Sequence, residues 1–239
     1  MIASALVLMQ AGICHAQTVP PFSPIMSSFS NELDFDALRG HVRRFEQTLY
    51  DQNQLPLMVA RGEFDAGGCL TRYQRVDNVN QQQITLVRDE SNRALVALEN
   101  PAQQIHLTDK CQIASTEGKD DIHRQYIYQK NLLVKVKDAH DGYVYKEYFY
   151  TPEAMPKIVV WYSDDSDVLM LTEPKKRLSD PWDFVTQGYD NGHPVYQAFK
   201  KCHYDNYANP TGCALIIDNQ GGAAGQTVQE IRYSISYYH

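Results

Sequence analysis

Residues 132–150 read LLVKVKDAHDGYVYKEYFY, and this stretch decides the fold class. Asp141–Gly142 marks a hairpin, because these two residue types adopt the positive φ angles that a tight two-residue turn requires. The flanking segments 132–138 and 143–150 are rich in β-branched and aromatic side chains, which favour strands. The stretch therefore predicts two antiparallel strands joined by a short turn.

The same hairpin pattern recurs on both sides of this stretch. Segments 41–50 and 57–64 flank the turn residues 51–54, and 158–162 and 168–171 flank an acidic turn. Residues 228–238 alternate, with one apolar and aromatic face, which is typical of an antiparallel sheet that is solvated on its other face. We therefore predict an all-β, mostly antiparallel fold: a meander of hairpins forming a curved open sheet or partial barrel, with at most one or two short helices.

Three further segments carry specific predictions. Residues 91–99 are predicted to form a helix, because Ser91 or Asn92 is a suitable cap and Pro101 a stop. Residues 104–113 are predicted to form one strand, and 172–187 an irregular connection across the sheet. The domain organisation that we expect is a signal peptide over 1–16, an extended tether over 17–40 and a single antiparallel β domain over 41–239.

The N-terminal leader leaves two alternatives open. Residues 2–13 form an uncharged run of the length of a signal-peptide core, too short to span a bilayer. Cys14-His15-Ala16 suits cleavage before Gln17, whereas residues 11–14 resemble a lipobox that would make Cys14 a lipidated first residue. In either case we expect an exported protein, periplasmic or lipid-anchored at a bacterial envelope membrane.

Composition limits the classes of partner. The formal net charge is −7, and the basic residues are dispersed among more numerous acidic ones. Nucleic-acid binding requires a concentrated basic surface, so we expect no nucleic acid, and membrane contact only through a lipid anchor at Cys14. The partner that we expect is an unknown envelope protein or a glycan.

The four cysteines of the body, Cys69, Cys111, Cys202 and Cys213, predict two disulfides in an oxidising compartment. Cys202 and Cys213 flank a predicted turn, so hairpin pairing brings them opposite each other. Cys69 and Cys111 then pair across a longer loop. A redox pair is disfavoured, because it would need a close Cys-x-x-Cys at a helix N-terminus.

Motifs for catalysis, cofactor binding or metal binding are not found in the sequence, so we assign no residue to any of these roles. Residues 164–167 resemble part of a calcium loop but lack its glycine and distal glutamate. The aromatic segment 143–150 has two interpretations: a cross-strand ladder that packs the sheet, or an exposed face that binds a glycan or peptide.

Several segments carry a family resemblance. Residues 22–36 read FSPIMSSFSNELDFD and are followed by Leu38-Arg39-Gly40, while 202–210 read CHYDNYANP before the segment 213–217. Together they resemble the YnfC-type family of uncharacterised enterobacterial lipoproteins, in which a lipobox cysteine precedes a segment like 22–26. The resemblance implies an envelope location and gives no activity.

These observations favour a non-enzymatic envelope protein that binds or scaffolds a partner. Two alternatives from other classes are an envelope hydrolase of unrecognised type and an inhibitor of a foreign envelope enzyme, acting through a loop such as 172–187.

Peptide mapping without reduction tests the cysteine pairing. We expect one cross-linked peptide joining Cys202 to Cys213, because they lie opposite each other in a predicted hairpin, and another joining the two remaining cysteines, Cys69 and Cys111. A peptide that joins Cys69 to Cys202 would contradict the assignment.

Overall fold

The structure, a computed structural model, describes residues 22–118, 123–152, 154–163, 166–174, 180–220 and 225–238. These residues form one helix and sixteen strands. In chain order the elements are α1 (Pro24–Leu33), β1 (Val42–Tyr50), β2 (Pro56–Phe64), β3 (Leu70–Asp77), β4 (Gln82–Asp89), β5 (Ala94–Ala97), β6 (Gln104–Leu107), β7 (Ile113–Glu117), β8 (His123–Gln129), β9 (Leu132–Asp138), β10 (Val144–Tyr150), β11 (Pro156–Tyr162), β12 (Asp167–Pro174), β13 (Phe184–Asp190), β14 (His193–Tyr204), β15 (Pro210–Asn219) and β16 (Thr227–Tyr237).

The strands form one closed antiparallel barrel. Each pairs with the next along the chain, and β16 pairs with β1, for example Ile231 opposite Leu49. At the hairpin between β9 and β10, Gly142 has φ 79°, whereas Asp141 has no positive φ, so the hairpin is confirmed but its loop, residues 139–143, is longer than the predicted two-residue turn. The prediction of an all-β, mostly antiparallel fold is confirmed. The sequence predicted a curved open sheet or partial barrel, and in the structure the barrel is closed.

The helix predicted over 91–99 is wrong. Residues Ala94–Ala97 form β5, which pairs with β4 on one side and β6 on the other. Ser91 does not cap a helix, because its backbone N–H and its hydroxyl both donate to the Asp89 carboxylate, at 2.9 and 2.6 Å. These local hydrogen bonds hold a turn and compete with helix formation.

The predictions of one strand over 104–113 and of an irregular connection over 172–187 also need correction. The strand predicted over 104–113 is divided into β6 and β7, because Thr108 Oγ1 accepts hydrogen bonds from the backbone N–H groups of Lys110 and Gln112 and folds the intervening residues into a turn. Within the segment 172–187, the barrel wall extends to Pro174 and resumes at Phe184. Residues 175–179 lie outside the described residues.

The extended tether predicted over 17–40 is wrong for Pro24–Leu33, which form α1. Ser23 caps the helix by accepting a hydrogen bond from the Met26 N–H at 3.0 Å, and proline in the first turn suits a helix start. The helix ends where Asp34 adopts a left-handed conformation (φ 55°). The leader predicted over 1–16 and residues 17–21 lie outside the described residues.

Helix α1 and the segment that follows it lie in the lumen of the barrel. Phe29 is fully buried. Side chains between residues 28 and 36 hydrogen-bond to tyrosines of β8, β10 and β16. Those strands are distributed round the barrel, so only a position inside the wall allows all these contacts.

The two ends of the barrel differ. We call the end with the turns 65–69, 108–112 and 205–209 the proximal end, and the end with the turns 51–55 and 191–192 the distal end. The described chain begins at the proximal end, where Phe22 forms a bridge with Arg39 and its ring packs against Trp182 at 5.9 Å between centroids. Helix α1 runs inward from there, and residues 34–41 return to β1.

Replacing Phe29 by alanine tests how much the lumenal helix stabilises the barrel. We expect the free energy of unfolding to fall by about 3–5 kcal/mol, because the side chain is fully buried and its loss leaves a cavity. Urea denaturation followed by circular dichroism measures the change. Phe149→Ala, at a position that is 51% exposed on β10, is the matched control and should change stability by less than about 1 kcal/mol. Equal effects of the two substitutions would contradict a buried helix.

Candidate functional site: a lumenal cavity beside the internal helix

The C-terminal turn of α1 is fixed to the wall by Glu32. Its side chain is only 6% exposed. The carboxylate accepts hydrogen bonds from Tyr148 at 2.5 Å and from Tyr126 at 3.2 Å, and Lys146 Nζ lies 3.2 Å from both oxygens. A buried carboxylate is tolerated when it is paired and hydrogen-bonded in this way, so Glu32 locks one side of the helix against β8 and β10.

The tyrosines around this carboxylate are held in their neutral form. Burial raises the pKa of Tyr148 and Tyr126 well above the ordinary tyrosine value, and the negative charge of Glu32 raises it further. Burial has the same effect on the pKa of Tyr128, whose hydroxyl is 2.6 Å from Ser28 Oγ and donates to the Ile113 carbonyl at 2.7 Å. Tyr148 and Tyr126 therefore act as fixed donors to Glu32, while the Tyr128 hydroxyl, which donates to the Ile113 carbonyl, accepts from Ser28.

A second buried charge pair fixes the returning segment. Lys200 Nζ donates to Asp36 Oδ2 at 2.5 Å, and the Tyr233 hydroxyl donates to the same oxygen. The lysine side chain is 3% exposed, and its Nζ lies 4.9 Å from the centroid of the Trp182 ring. Charge and ring together stabilise the buried ammonium group.

The proximal end is sealed by Asn209. Its side-chain oxygen accepts from the Arg39 N–H at 2.7 Å, and its Nδ2 donates to the Arg39 carbonyl at 2.9 Å and to the Tyr237 hydroxyl at 2.8 Å. The Arg39 guanidinium stacks over the Phe22 ring at 4.2 Å. The returning backbone is therefore bound to the turn between β14 and β15.

On the other side of α1 the lumen contains a cavity of about 550 Å³, bounded by α1 and the inner faces of β10–β15. Its walls are mainly apolar and include Val159, Trp161, Met170, Phe184, Leu215 and Ile217. The cavity extends from Met155 at the proximal end to Asn219 at the distal end. The exposed lining residues, Asp34 and Asn219, lie at the distal end, which places the mouth there.

The space arises because several inward positions on β13 and β14 are small. Thr186 and Ala198 face each other across these strands and line the cavity. At Gly188 the Tyr196 ring lies directly on the backbone, since a Cβ there would be 2.0 Å from Tyr196 Cε1. Glycine thus lets one aromatic ring fold flat against the wall instead of filling the lumen.

A second cavity, of about 360 Å³, lies between the end of α1 and β3–β8. Charged groups line it, and its Arg75 is already paired with Asp34 at 2.8 Å and with Asp77 at 3.2 Å. The described residues contain no group of three His, Cys, Asp or Glu side chains arranged to hold a metal ion. The apolar cavity is therefore the better candidate site.

The cysteines have a structural position at the proximal end. Disulfides join Cys69 to Cys111 and Cys202 to Cys213, the expected pairs, with Cα–Cα distances of 5.4 and 4.0 Å. The first ties the β2–β3 turn to the β6–β7 turn, and the second crosses from β14 to β15. Cys14 lies outside the described residues.

The aromatic segment 143–150 contributes tyrosines to the lumen of the barrel. Tyr148 and Tyr150 point inward and contact α1, through Glu32 and Asn31, whereas Phe149 points outward and is exposed. Neither sequence interpretation anticipated contacts with a lumenal helix. The cavity was also missed, although one signal was available. The segments IVVWY (158–162) and VLML (168–171) are apolar at both alternating positions, which makes both faces of β11 and β12 apolar over these residues.

The family model of the uncharacterised protein family UPF0257 matches residues 1–238. The chain belongs to this family. It is similar to the UPF0257 lipoprotein YnfC of Escherichia coli O157:H7, with 29% identity over 98% of this chain and 96% of that protein. The same lipoprotein in strain K12 / DH10B is 28% identical over the same shares.

Among solved structures, a porin-like protein from Bacteroides uniformis has a similar fold. The TM-score is 0.54 with 12% sequence identity, and the match covers 92% of this chain and all of the other. At this identity the likeness concerns the fold alone. In the part of the chain that the structure describes, no helix is long and apolar enough to cross a membrane.

Alkaline titration tests the tyrosine contacts with the lumenal segment. Because burial raises the folded-state pKa of Tyr126, Tyr128 and Tyr148, unfolded chains release protons above about pH 10 while folded chains retain them. The contribution of these tyrosines to stability should therefore be constant below that pH and fall as the pH rises above it. Tyrosinate absorbance should include a cooperative step that coincides with loss of the circular dichroism signal. Complete ionisation with the fold intact would contradict the buried contacts.

Proposed function

We propose that this protein is an exported, non-enzymatic envelope lipoprotein that binds an elongated apolar molecule, such as a fatty acyl chain, in the lumen of its barrel. The observation that carries the proposal is the 550 Å³ cavity between α1 and β10–β15. Its volume lies within the range of about 300–1,000 Å³ that is typical of small-molecule sites.

The chemistry of the lining supports an apolar ligand over a glycan. The walls are formed mainly by aliphatic, aromatic and thioether side chains, and burying sugar hydroxyls against them without partners would cost free energy. The charged residues that line the cavity, Asp34 and Asp36, are already paired with Arg75 and Lys200. An apolar chain would instead gain from leaving water.

The described lumen favours a binding site over an open channel. A sixteen-stranded barrel is wide enough to leave an aqueous pore, but here α1 and residues 34–40 occupy the interior and are bonded to the wall. The porin-like neighbour therefore supplies an architecture, and we transfer no transport activity from it.

The envelope location is supported by two observations. The relatives are named lipoproteins, and this chain has a leader-like segment with Cys14 at a lipobox-like end. We therefore propose that Cys14 carries the lipid anchor. The intact mass of the protein isolated from its native host tests this proposal. A mature chain that begins with unmodified Gln17 would contradict the anchor.

Ligand binding is tested with the probe N-phenyl-1-naphthylamine, whose fluorescence rises in apolar sites, and by displacement with palmitate. Ala198→Phe fills the cavity from its wall and should weaken probe binding by about tenfold or more, which corresponds to about 1.4 kcal/mol. The matched control is Gln197→Phe, which adds the same ring one position along β14 on the outer face. It should leave binding unchanged.

Two results would contradict the lumenal site: no saturable binding of the probe to the wild-type protein, or equal affinity in the two variants. Circular dichroism of both variants checks that each retains the β fold.

A further inference from the structure

The outer face of the same half of the barrel is also apolar. Its residues form two rows of neighbours across the strands. The rows are Val185, Phe199, Ile216 and Val228 on β13–β16, and Phe149, Ile158 and Leu171 on β10–β12. Leu171 and Val185 are diagonal neighbours, because their direct partners are the polar residues Gln187 and Glu173, and the two rows meet in one band through this diagonal contact. We call this band the apolar outer wall.

The apolar outer wall contrasts with the outer face of β1–β3. There, Arg61 binds Glu46 at 2.6 Å and Gln74 at 3.2 Å, as expected for a sheet that faces water. On the apolar outer wall, by contrast, Phe199 is 41% and Val228 46% exposed. Strands with apolar residues on both faces are typical of sheets that are covered on both sides, and a continuous exposed apolar surface marks an interaction site.

The position of the N-terminus relative to this wall indicates what covers it. Phe22, where the described chain begins, packs against Trp182, which immediately precedes β13. Strand β13 lies in the middle of the strands that carry the apolar outer wall. Cys14 precedes Phe22 by eight residues, which span at most about 28 Å when fully extended. A lipid anchor at Cys14 therefore holds a bilayer within reach of this side of the molecule.

We infer that the apolar outer wall lies against the surface of the membrane to which the protein is anchored. The inference rests on the anchoring part of the proposed function and is independent of lumenal ligand binding. The anchor makes the contact intramolecular, so even a modest apolar surface is held at high effective concentration next to the lipid. The protein then lies on its side, with β13 nearest the bilayer and β5, eight strands away round the barrel, farthest from it.

Quenching by brominated lipids tests this orientation. The acylated full-length protein is reconstituted in vesicles of phosphatidylethanolamine and phosphatidylglycerol, as wild type and as the variants Phe199→Trp and Arg72→Trp. Arg72 is an exposed residue on β3. It lies two residues from the proximal end of β3, whereas Phe199 lies five residues from the proximal end of β14. Wild-type protein gives the signal of the two native tryptophans, Trp161 and Trp182. We expect brominated lipid to remove most of the added emission of Phe199→Trp and little of that of Arg72→Trp.

Other outcomes overturn the inference. Stronger or equal quenching of Arg72→Trp means that the molecule stands on its proximal end or has no preferred face. If neither variant is quenched, lipid does not contact the apolar outer wall. If a dimer can also be cross-linked in that case, the apolar outer wall is the contact surface for a second copy of the chain. If intact mass shows no acyl group on Cys14, the orientation fails together with the anchor, while the probe-binding test of the lumen is unaffected.

Discussion

The contacts between the buried acidic groups of the lumenal segment and the inner wall are the interaction on which the rest of the structure depends. Glu32 and Asp36 each bring a negative charge into the barrel, and each is met by one lysine and at least one tyrosine hydroxyl. Removing a single partner would leave an uncompensated charge away from water, which is costly. The two clusters therefore fix both the depth and the rotation of the segment, and the cavity is the space that this position leaves between helix and wall.

The strands were largely predictable from local signals, because turn chemistry and alternation act over a few residues. Asp141–Gly142 determined one hairpin, and the alternation from Ile231 to Tyr237 determined the inward face of the last strand. Helix α1 was not predicted, because the prolines and serines that precede and begin it were interpreted as an extended tether, although Ser23 and Pro24 suit a helix start. Its stability comes from partners such as Tyr128 and Tyr148, which lie 100 and 116 residues away in the sequence.

The cavity was unpredictable for a related reason. Its boundaries are set by which residues on distant strands face the same lumen, and by small residues such as Ala198 and Gly188 that leave space instead of filling it. The sequence does record that β11 and β12 are apolar on both faces. Only the closed barrel explains this pattern, because one face then lines an apolar lumen while the other becomes a surface that needs a cover. Cysteine pairing, by contrast, followed from hairpin geometry for Cys202 and Cys213.

The distance along the chain between Asp36 and its partners also determines the order in which the protein is assembled. Tyr233 is 197 residues away and Lys200 is 164 residues away, so these bonds close very long loops of the chain. Loop closure over such distances slows folding. The lumenal segment around Asp36 precedes every strand in the sequence, but its bond to Tyr233 requires β16, the last strand. The barrel wall therefore closes around a segment that is already in place. The bonds of Asp36 can therefore form only after β14 and β16 have been added, so the lumenal segment is fully enclosed in the last stage of folding.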